Sequence, residues 1–435
     1  MIFLHSFSRA LSRQACTVRR ALRPAPVAVA CLLGVWLSAW AAQARATPLT
    51  LAQAERQMTQ RNPALAAASQ SIGALEHQAV AASQLPDPHL SLDAVNLPTN
   101  SFSLTQQGMT MLSVGVSQSF PPSGKLELEG DKFRALAGVQ HGDRDVKHIQ
   151  LLFGLRQAWV NAVYAIHARK TVQRQIELAQ ANEHAALASY RSGSAPQSDV
   201  LRAQLASAEL LNDRSALAAD ETAALAQISE LLGTDGKPEI DPNWPRLSAA
   251  AADDSRLSSE QPLIRVAQAK VKTARIGVEI AKKNFLPQIT VGASYGKSFF
   301  PGSPNFFSAG VSMPLPIFSS RRLDAELDSA RAEEMRARYD EQDQRLVLLQ
   351  QIRAAAAREH SLQEKWERAQ QKMLPLARAA FDSTLTAYTN GRASMSDVLK
   401  AQQAGFAIEL ESLQYRRDLL ITQAQLDELT APAEE

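Results

Sequence analysis

Two hydrophobic periods take turns along this chain. Leu90, Leu92 and Ala94 alternate with His89, Ser91 and Asp93, and Leu112, Val114 and Val116 alternate with Ser113, Gly115 and Ser117. The two-residue period returns at Ile289, Val291, Ala293 and Tyr295, and again at Phe307, Ala309, Val311 and Met313. It predicts strands that are apolar on one face and small or polar on the other. Loops rich in turn formers, 97–108 and 298–305, predict a hairpin from each pair. The remaining chain carries a helical pattern. A run over 49–84 and another over 262–285 each end at Leu-Pro, because a residue before proline is pushed out of the α region. After each hairpin comes a much longer run. Residues 123–190 contain no proline, and residues 319–388 contain only Pro375. At 1.5 Å per residue each run reaches ~100 Å, against a mean globular helix of ~11–12 residues. Helices of that length joined to four short strands do not describe a compact enzyme domain.

The pattern occurs twice. Residues 190–204 are YRSGSAPQSDVLRAQ and residues 388–402 are YTNGRASMSDVLKAQ, identical at nine of fifteen positions. Ser113–Ser117 matches Ser308–Ser312, and Leu85-Pro86 matches Leu286-Pro287, in the same order and at nearly the same spacing. A tandem duplication follows. Repeat 1 covers 47–232, repeat 2 covers 261–430, and 431–435 form a tail. Between the repeats, 233–260 hold Asp235-Gly236, Pro238, Pro242 and Pro245 and predict a linker or small irregular subdomain.

Residues 1–46 change the charge balance. Arg9, Arg13, Arg19, Arg20 and Arg23 precede the apolar run 27–40, which is shorter than the ~20 residues of a spanning helix. The small-x-small sites Ala42-Gln43-Ala44 and Ala44-Arg45-Ala46 follow. This is the layout of a cleavable signal peptide. The chain carries 46 basic and 44 acidic residues, a net of +2; removing 1–46 takes away six Arg and no acid, so the exported chain is mildly acidic. Both cysteines, Cys16 and Cys31, leave with it. A disulfide scaffold, a zinc finger and a cysteine nucleophile are therefore excluded as organising ideas. Nothing in this charge distribution suggests a nucleic-acid partner.

Alternating strands in an exported protein match the outer-membrane barrel signature, with the apolar face toward lipid and the polar face toward a lumen. On that reading Val114, Val116, Ile289, Val291, Phe307 and Val311 face lipid, and Ser113, Gly115, Thr290 and Ser312 face inward. Four strands cannot close a barrel, and lipid tolerates no open edge. More than one chain must then contribute. The duplicated pattern Tyr-x-x-Gly-x-x-x-x-Ser-Asp-Val-Leu, at 190–201 and 388–399, resembles the outer-membrane efflux protein family, the TolC-like channels. The likeness extends over about 49–430. It implies a homotrimer with a twelve-stranded barrel in the outer membrane of a Gram-negative cell and a periplasmic tube of antiparallel coiled helices. It also implies a passive exit duct, without enzymatic activity, that docks to a periplasmic adaptor and an inner-membrane transporter. The passage 85–98 resembles members of heavy-metal efflux systems. Two other exported classes remain comparators. An adaptor carries one helical hairpin flanked by halves of a β domain, and a structural coiled-coil protein has no use for Leu-Ser-Val-Gly-Val-Ser strands.

No catalytic set, cofactor motif or metal cluster stands out. His141 and His148 share a helical spacing near Asp143 and Asp145, which a solvated helix face explains. Met109 and Met111 suggest alternate positions of one strand, explained by packing. The duplicated turn carries more. Gly193 and Gly391 are natural helix stops, following Tyr190 and Tyr388. Asp199 and Asp397 then fall in the first turn of the next helix, where the dipole favours a carboxylate, and Ser394 with Asp397 forms a capping-box variant. Both Asp residues are explained as helix starts. The resemblance adds a second reading, in which this turn is the periplasmic tip and Asp199, Tyr388 and Asp397 belong to a gate. The family's gate arginine would fall at Ala393, with Arg392 adjacent.

Overall fold

The computed structural model describes residues 48–247, 261–315 and 320–431. The segment 1–46, expected to be a signal peptide, the second half of the linker (248–260) and the tail after 431 lie outside the described residues. Among the described residues the chain is mainly helical, with one small sheet.

Repeat 1 begins with α1 (Leu51–Arg61), whose start is closed by a capping box between Thr50 and Gln53. The expected single run over 49–84 is in fact two helices, because Pro63 opens α2 (Pro63–Ala82) as its first residue. Asn62, forced into extended backbone before the proline, serves both sides of the break. Its side chain accepts from the Ala64 N–H and donates to the Leu231 carbonyl, each at 2.9 Å. Strands β1 (His89–Val95) and β2 (Met111–Phe120) follow. Next come α3 (Lys125–Arg191), one unbroken helix of 67 residues, and α4 (Gln197–Leu232).

Repeat 2 runs α5 (Pro262–Lys283), β3 (Ile289–Ser298), β4 (Phe306–Ser312) and α6 (Ser320–Arg368). A five-residue π turn, Ala369–Met373, then leads into α7 (Leu374–Thr389) and α8 (Met395–Thr430). The long run expected over 319–388 is therefore interrupted where its single proline lies. Pro375 has no N–H to donate and its ring crowds the carbonyl four residues back. The wider turn just before it relieves that clash without ending the rod.

The four strands form one antiparallel sheet in the order β1-β2-β3-β4. The long helix α3 packs against α2, α4, α5 and α8, so each repeat leans on the other. Its middle carries the main core. Trp159, Leu155, Val163 and Ala162 pack with Met58 of α1 and with Ile228 and Leu232 of α4. A second cluster joins Ile264, Leu348, Ile352 and Leu426 of repeat 2. Arg156 ties the two halves together, with Nε 2.7 Å from Glu55 and Nη1 3.2 Å from Asp427. His148, expected on a solvated face, is buried, and its Nε2 lies 2.9 Å from the Thr59 hydroxyl. Helical spacing alone could not distinguish those faces, because α3 is covered on several sides.

The described part of the linker is strapped across this region. Leu49 and Ile240 form a short parallel bridge. Trp244 stacks on His167 at 5.3 Å and lies under the Arg416 guanidinium at 4.9 Å. Arg416 also reaches the Trp366 ring at 5.8 Å. Burial pushes the His167 imidazole below its ordinary value, the Pro242 carbonyl opposes that shift, and Lys170 and Arg416 add to it.

Two glycines of α3 separate backbone propensity from packing. Gly138 has open space where a Cβ would stand, whereas a Cβ on Gly142 would come within 2.6 Å of Val266 Cγ2 on α5. Gly138→Ala should stabilise the folded chain by about 0.5–1 kcal/mol through helix propensity. Gly142→Ala should forfeit that gain to overpacking of about 1–3 kcal/mol, and Val266→Ala in the same chain should recover part of the loss. Thermal unfolding of the three variants beside the parent in detergent checks the sign of each.

Candidate functional site

The sheet is the first candidate surface. Opposed residues in an antiparallel ladder share a face, and the register places Leu92, Val114, Tyr295 and Phe307 in one row and Leu90, Val116, Ala293 and Ala309 in the next. Val291 and Val311 stand opposite each other, and Ile289 faces Phe120. All six residues expected to face lipid lie on this side, while Ser113, Gly115, Thr290 and Ser312 lie on the other. The exposure is inverted relative to a water-soluble sheet. Val114 and Val116 are 50% and 53% exposed, whereas Gly115 between them and Ser113 before them are buried. Leu90, Leu92, Phe307 and Val311 are exposed still further.

The polar face curves into an open groove lined by Ser91, Gly115, Ser117, Gly292, Ser294 and Ser308. Curvature explains those residues, since side chains on the inside of a bend converge. A Cβ on Gly296 would fall 2.2 Å from Met111 Sδ, and one on Gly115 would fall 2.8 Å from Ser91 Oγ. The outer side splays and has room for Leu, Val and Phe. Met111 thus belongs to the polar face, and Met109 precedes β2 in the loop, where its carbonyl accepts from Asn96 Nδ2 at 3.2 Å. The two do not share a strand, because β2 starts only at Met111.

The duplicated turn is the second candidate. The α3–α4 and α7–α8 turns repeat each other bond for bond. Gly193 and Gly391 take left-handed φ of 71° and 69°. Ser194 N–H donates to the Ser189 carbonyl at 2.9 Å, and Arg392 N–H donates to the Ala387 carbonyl at 2.8 Å, closing the same helix end in both repeats. The Gly193 N–H donates to the Tyr190 carbonyl and the Gly391 N–H to the Tyr388 carbonyl. Beneath the turns, Ala186, Val200 and Ala203 pack in repeat 1, and Met395 and Val398 are buried in repeat 2.

The two carboxylates then part company. In repeat 2, Ser394 and Asp397 complete the capping box. The Ser394 N–H and hydroxyl both donate to Asp397 Oδ2, at 3.1 and 2.7 Å, and the Asp397 N–H donates to Ser394 Oγ. The Ser394 hydroxyl, then the Ser394 N–H, hold this fully exposed carboxyl below its ordinary value. In repeat 1 the equivalent cap is Pro196, which offers neither N–H nor hydroxyl. Asp199 therefore stands in the first turn of α4 with no side-chain partner among the described residues. Within one chain the structure does not bring Asp199 into a hydrogen bond or ion pair with Tyr388 or Arg392. Arg392 is exposed and Tyr388 is half-buried.

The fold thus combines long paired helices, duplicated tip turns and a sheet whose apolar face is exposed. Residues 255–431 match the outer membrane efflux protein family. The pyoverdine export outer membrane protein OpmQ of Pseudomonas aeruginosa is 26% identical over 295 residues, 63% of this chain and 60% of OpmQ. The chain thus spans about 60% of the length of that relative. Among solved structures, CusC superposes with a TM-score of 0.76 at 18% identity, covering 88% of this chain and 92% of that one. The outer membrane protein VceC of Vibrio cholerae gives 0.73 at 17% identity, covering 88% and 97%.

The capping difference has a titration consequence. Asp397 contributes stability while ionised, and that contribution is lost as pH falls through its lowered pKa. Ser394→Ala should move the Asp397 carboxyl up to the ordinary aspartate range. Carboxyl chemical shifts followed through an acid titration check that direction.

Proposed function

We propose that the chain is one subunit of a passive exit duct in the outer membrane of a Gram-negative cell. Three copies contribute four strands each to a twelve-stranded barrel, and their helices form the tube in the periplasm. The sheet supports this reading above all else, because an apolar face left exposed beside a sheltered polar face suits lipid outside and water inside. No helix among the described residues is long and apolar enough to cross a membrane. The sheet is thus the candidate for the crossing. Neither a soluble adaptor nor a structural coiled coil would have reason to expose Leu90, Leu92, Phe307 and Val311 together. The match to the outer membrane efflux protein family favours transport of substrates out of the cell, driven by a periplasmic adaptor and an inner-membrane transporter. The segment 85–98 extends the proposal to heavy-metal cations as cargo.

The helix tips are the proposed periplasmic gate. Asp199, free of any cap partner, is the better placed of the two carboxylates to meet Tyr388 or Arg392 of a neighbouring repeat or copy. Asp397 keeps Oδ1 open for the pore while Oδ2 serves the cap. An exposed ion pair is worth only ~0–1 kcal/mol, so threefold repetition is what would give the closed state its bias. A switch of that size is reversible by a docking partner.

Two experiments test the reading. Arg at Val291 should hinder insertion by about 2–4 kcal/mol when it lies near the bilayer midplane, while Arg at Ser312 should insert normally and change conductance. Equal tolerance in a liposome insertion assay overturns the lipid-facing assignment. For the gate, Tyr388→Phe with Arg392→Ser should raise single-channel conductance in planar bilayers. Asp397→Ala should weaken block by multivalent cations added on the periplasmic side. Unchanged conductance and unchanged block in folded trimers leave both carboxylates as helix-start residues alone.

A further inference from the structure

The apolar face of the sheet bears one charged side chain, Lys297, and its position is informative. Lys297 pairs with Leu112 in the ladder, in the row beyond Tyr295 and Phe307. From the Phe120–Ile289 row at the helix-bearing end to the Lys297 row is eight residues of β3, or roughly 26 Å of strand. Strand tilt shortens this toward the ~25 Å apolar band of a membrane barrel. The cation therefore stands where the apolar band ends, on the side that carries hairpin loops instead of helices. Aromatic residues gather there. Tyr295 and Phe307 are 52% and 72% exposed, Phe299 is exposed two residues after Lys297, and Lys297 Nζ lies 5.5 Å from the Phe299 ring centroid. The Tyr295 hydroxyl accepts from Asn305 Nδ2 at 2.6 Å, which points its polar end toward the loops.

No carboxylate pairs with Lys297 among the described residues. By contrast Gln118, the polar residue at the opposite end of the same face, is satisfied by the Pro86 and Ser119 carbonyls. A lysine with apolar neighbours on a hydrocarbon-facing surface extends its ammonium to the headgroup level. There the counter-charge available is phosphate.

We propose that Lys297 holds the phosphate of an anionic outer-leaflet lipid at the outer rim of the sheet, with Tyr295, Phe299 and Phe307 packing against the chain region beneath it. This deepens the proposed channel reading and rests on it. Charge complementarity carries the choice of occupant, because a zwitterionic phospholipid brings its own cation beside its phosphate, whereas an anionic lipid leaves its phosphate for the lysine ammonium.

The test uses the full chain, inserted into phosphatidylcholine vesicles with or without monophosphoryl lipid A. Native mass spectrometry of the extracted protein counts the retained lipid A, and single-channel recording confirms insertion. The unmodified protein should retain lipid A in preference to phosphatidylcholine. Lys297→Met should cut that retention about fivefold, the worth of one cation near an anionic surface, and Lys297→Arg should restore it. Lys400→Met, at the helix tip, should have no effect. If Lys297→Met inserts, conducts and still retains lipid A like the parent, the headgroup proposal is wrong while the channel reading stands. If the unmodified protein inserts in neither vesicle, the channel reading falls and the proposal falls with it.

Discussion

An apolar sheet surface cannot remain in water, and a sheet edge cannot remain unpaired in lipid. The four strands of this chain meet both conditions at once. The outward row from Leu92 to Phe307 calls for a hydrocarbon partner, and β1 and β4 each leave one side of their backbone unpaired within the chain. Association with further copies, edge to edge, meets both demands without changing any residue. The small residues on the concave side are part of the same solution. Gly296, Gly115 and Gly292 let neighbouring side chains close in on the inner surface, and that crowding is what allows the sheet to bend toward closure.

The helical part obeys a different rule. A 67-residue helix cannot bury itself by folding back, so α3 gains its core from four neighbours drawn from both repeats. Gly142 admits α5 to close range, and Arg156 links α1 to α8. Repeat 2 answers the same demand with a longer run that a π turn interrupts. The duplication thus copies an architecture while leaving each copy free to solve its own local chemistry, as Pro196 and Ser394 illustrate at equivalent helix starts.

Much of this was legible in the residues. Alternation located all four strands and the correct face of each, since period-two patterning carries facing information directly. The glycine turns were readable because few other residues enter the left-handed region cheaply. What the pattern hid was set by tertiary partners or by proline geometry. Pro63 splits the first helical run, Pro375 provokes a π turn, and His148 is buried by α1, a neighbour that helical spacing does not reveal. The clasp of His167, Trp244, Arg416 and Trp366 was equally invisible, because its members come from three helices and the linker. The tip residues were singled out by their recurrence, and the difference between Asp199 and Asp397 emerged only from what stands three positions earlier.

The central ladder has one further implication, for the order in which the chain folds. Strands β1 and β2 meet through a short loop, as do β3 and β4, so each hairpin closes from local contacts. Strand β2 meets β3 across roughly 170 residues or more, and loop-closure entropy makes such pairing slow. Most of that intervening chain is α3, α4 and α5. Packing these helices together brings the two hairpins side by side and removes most of the search. Packing of the helices therefore shortens the search for the β2–β3 ladder, and the exposed apolar surface is complete only once the two hairpins have met.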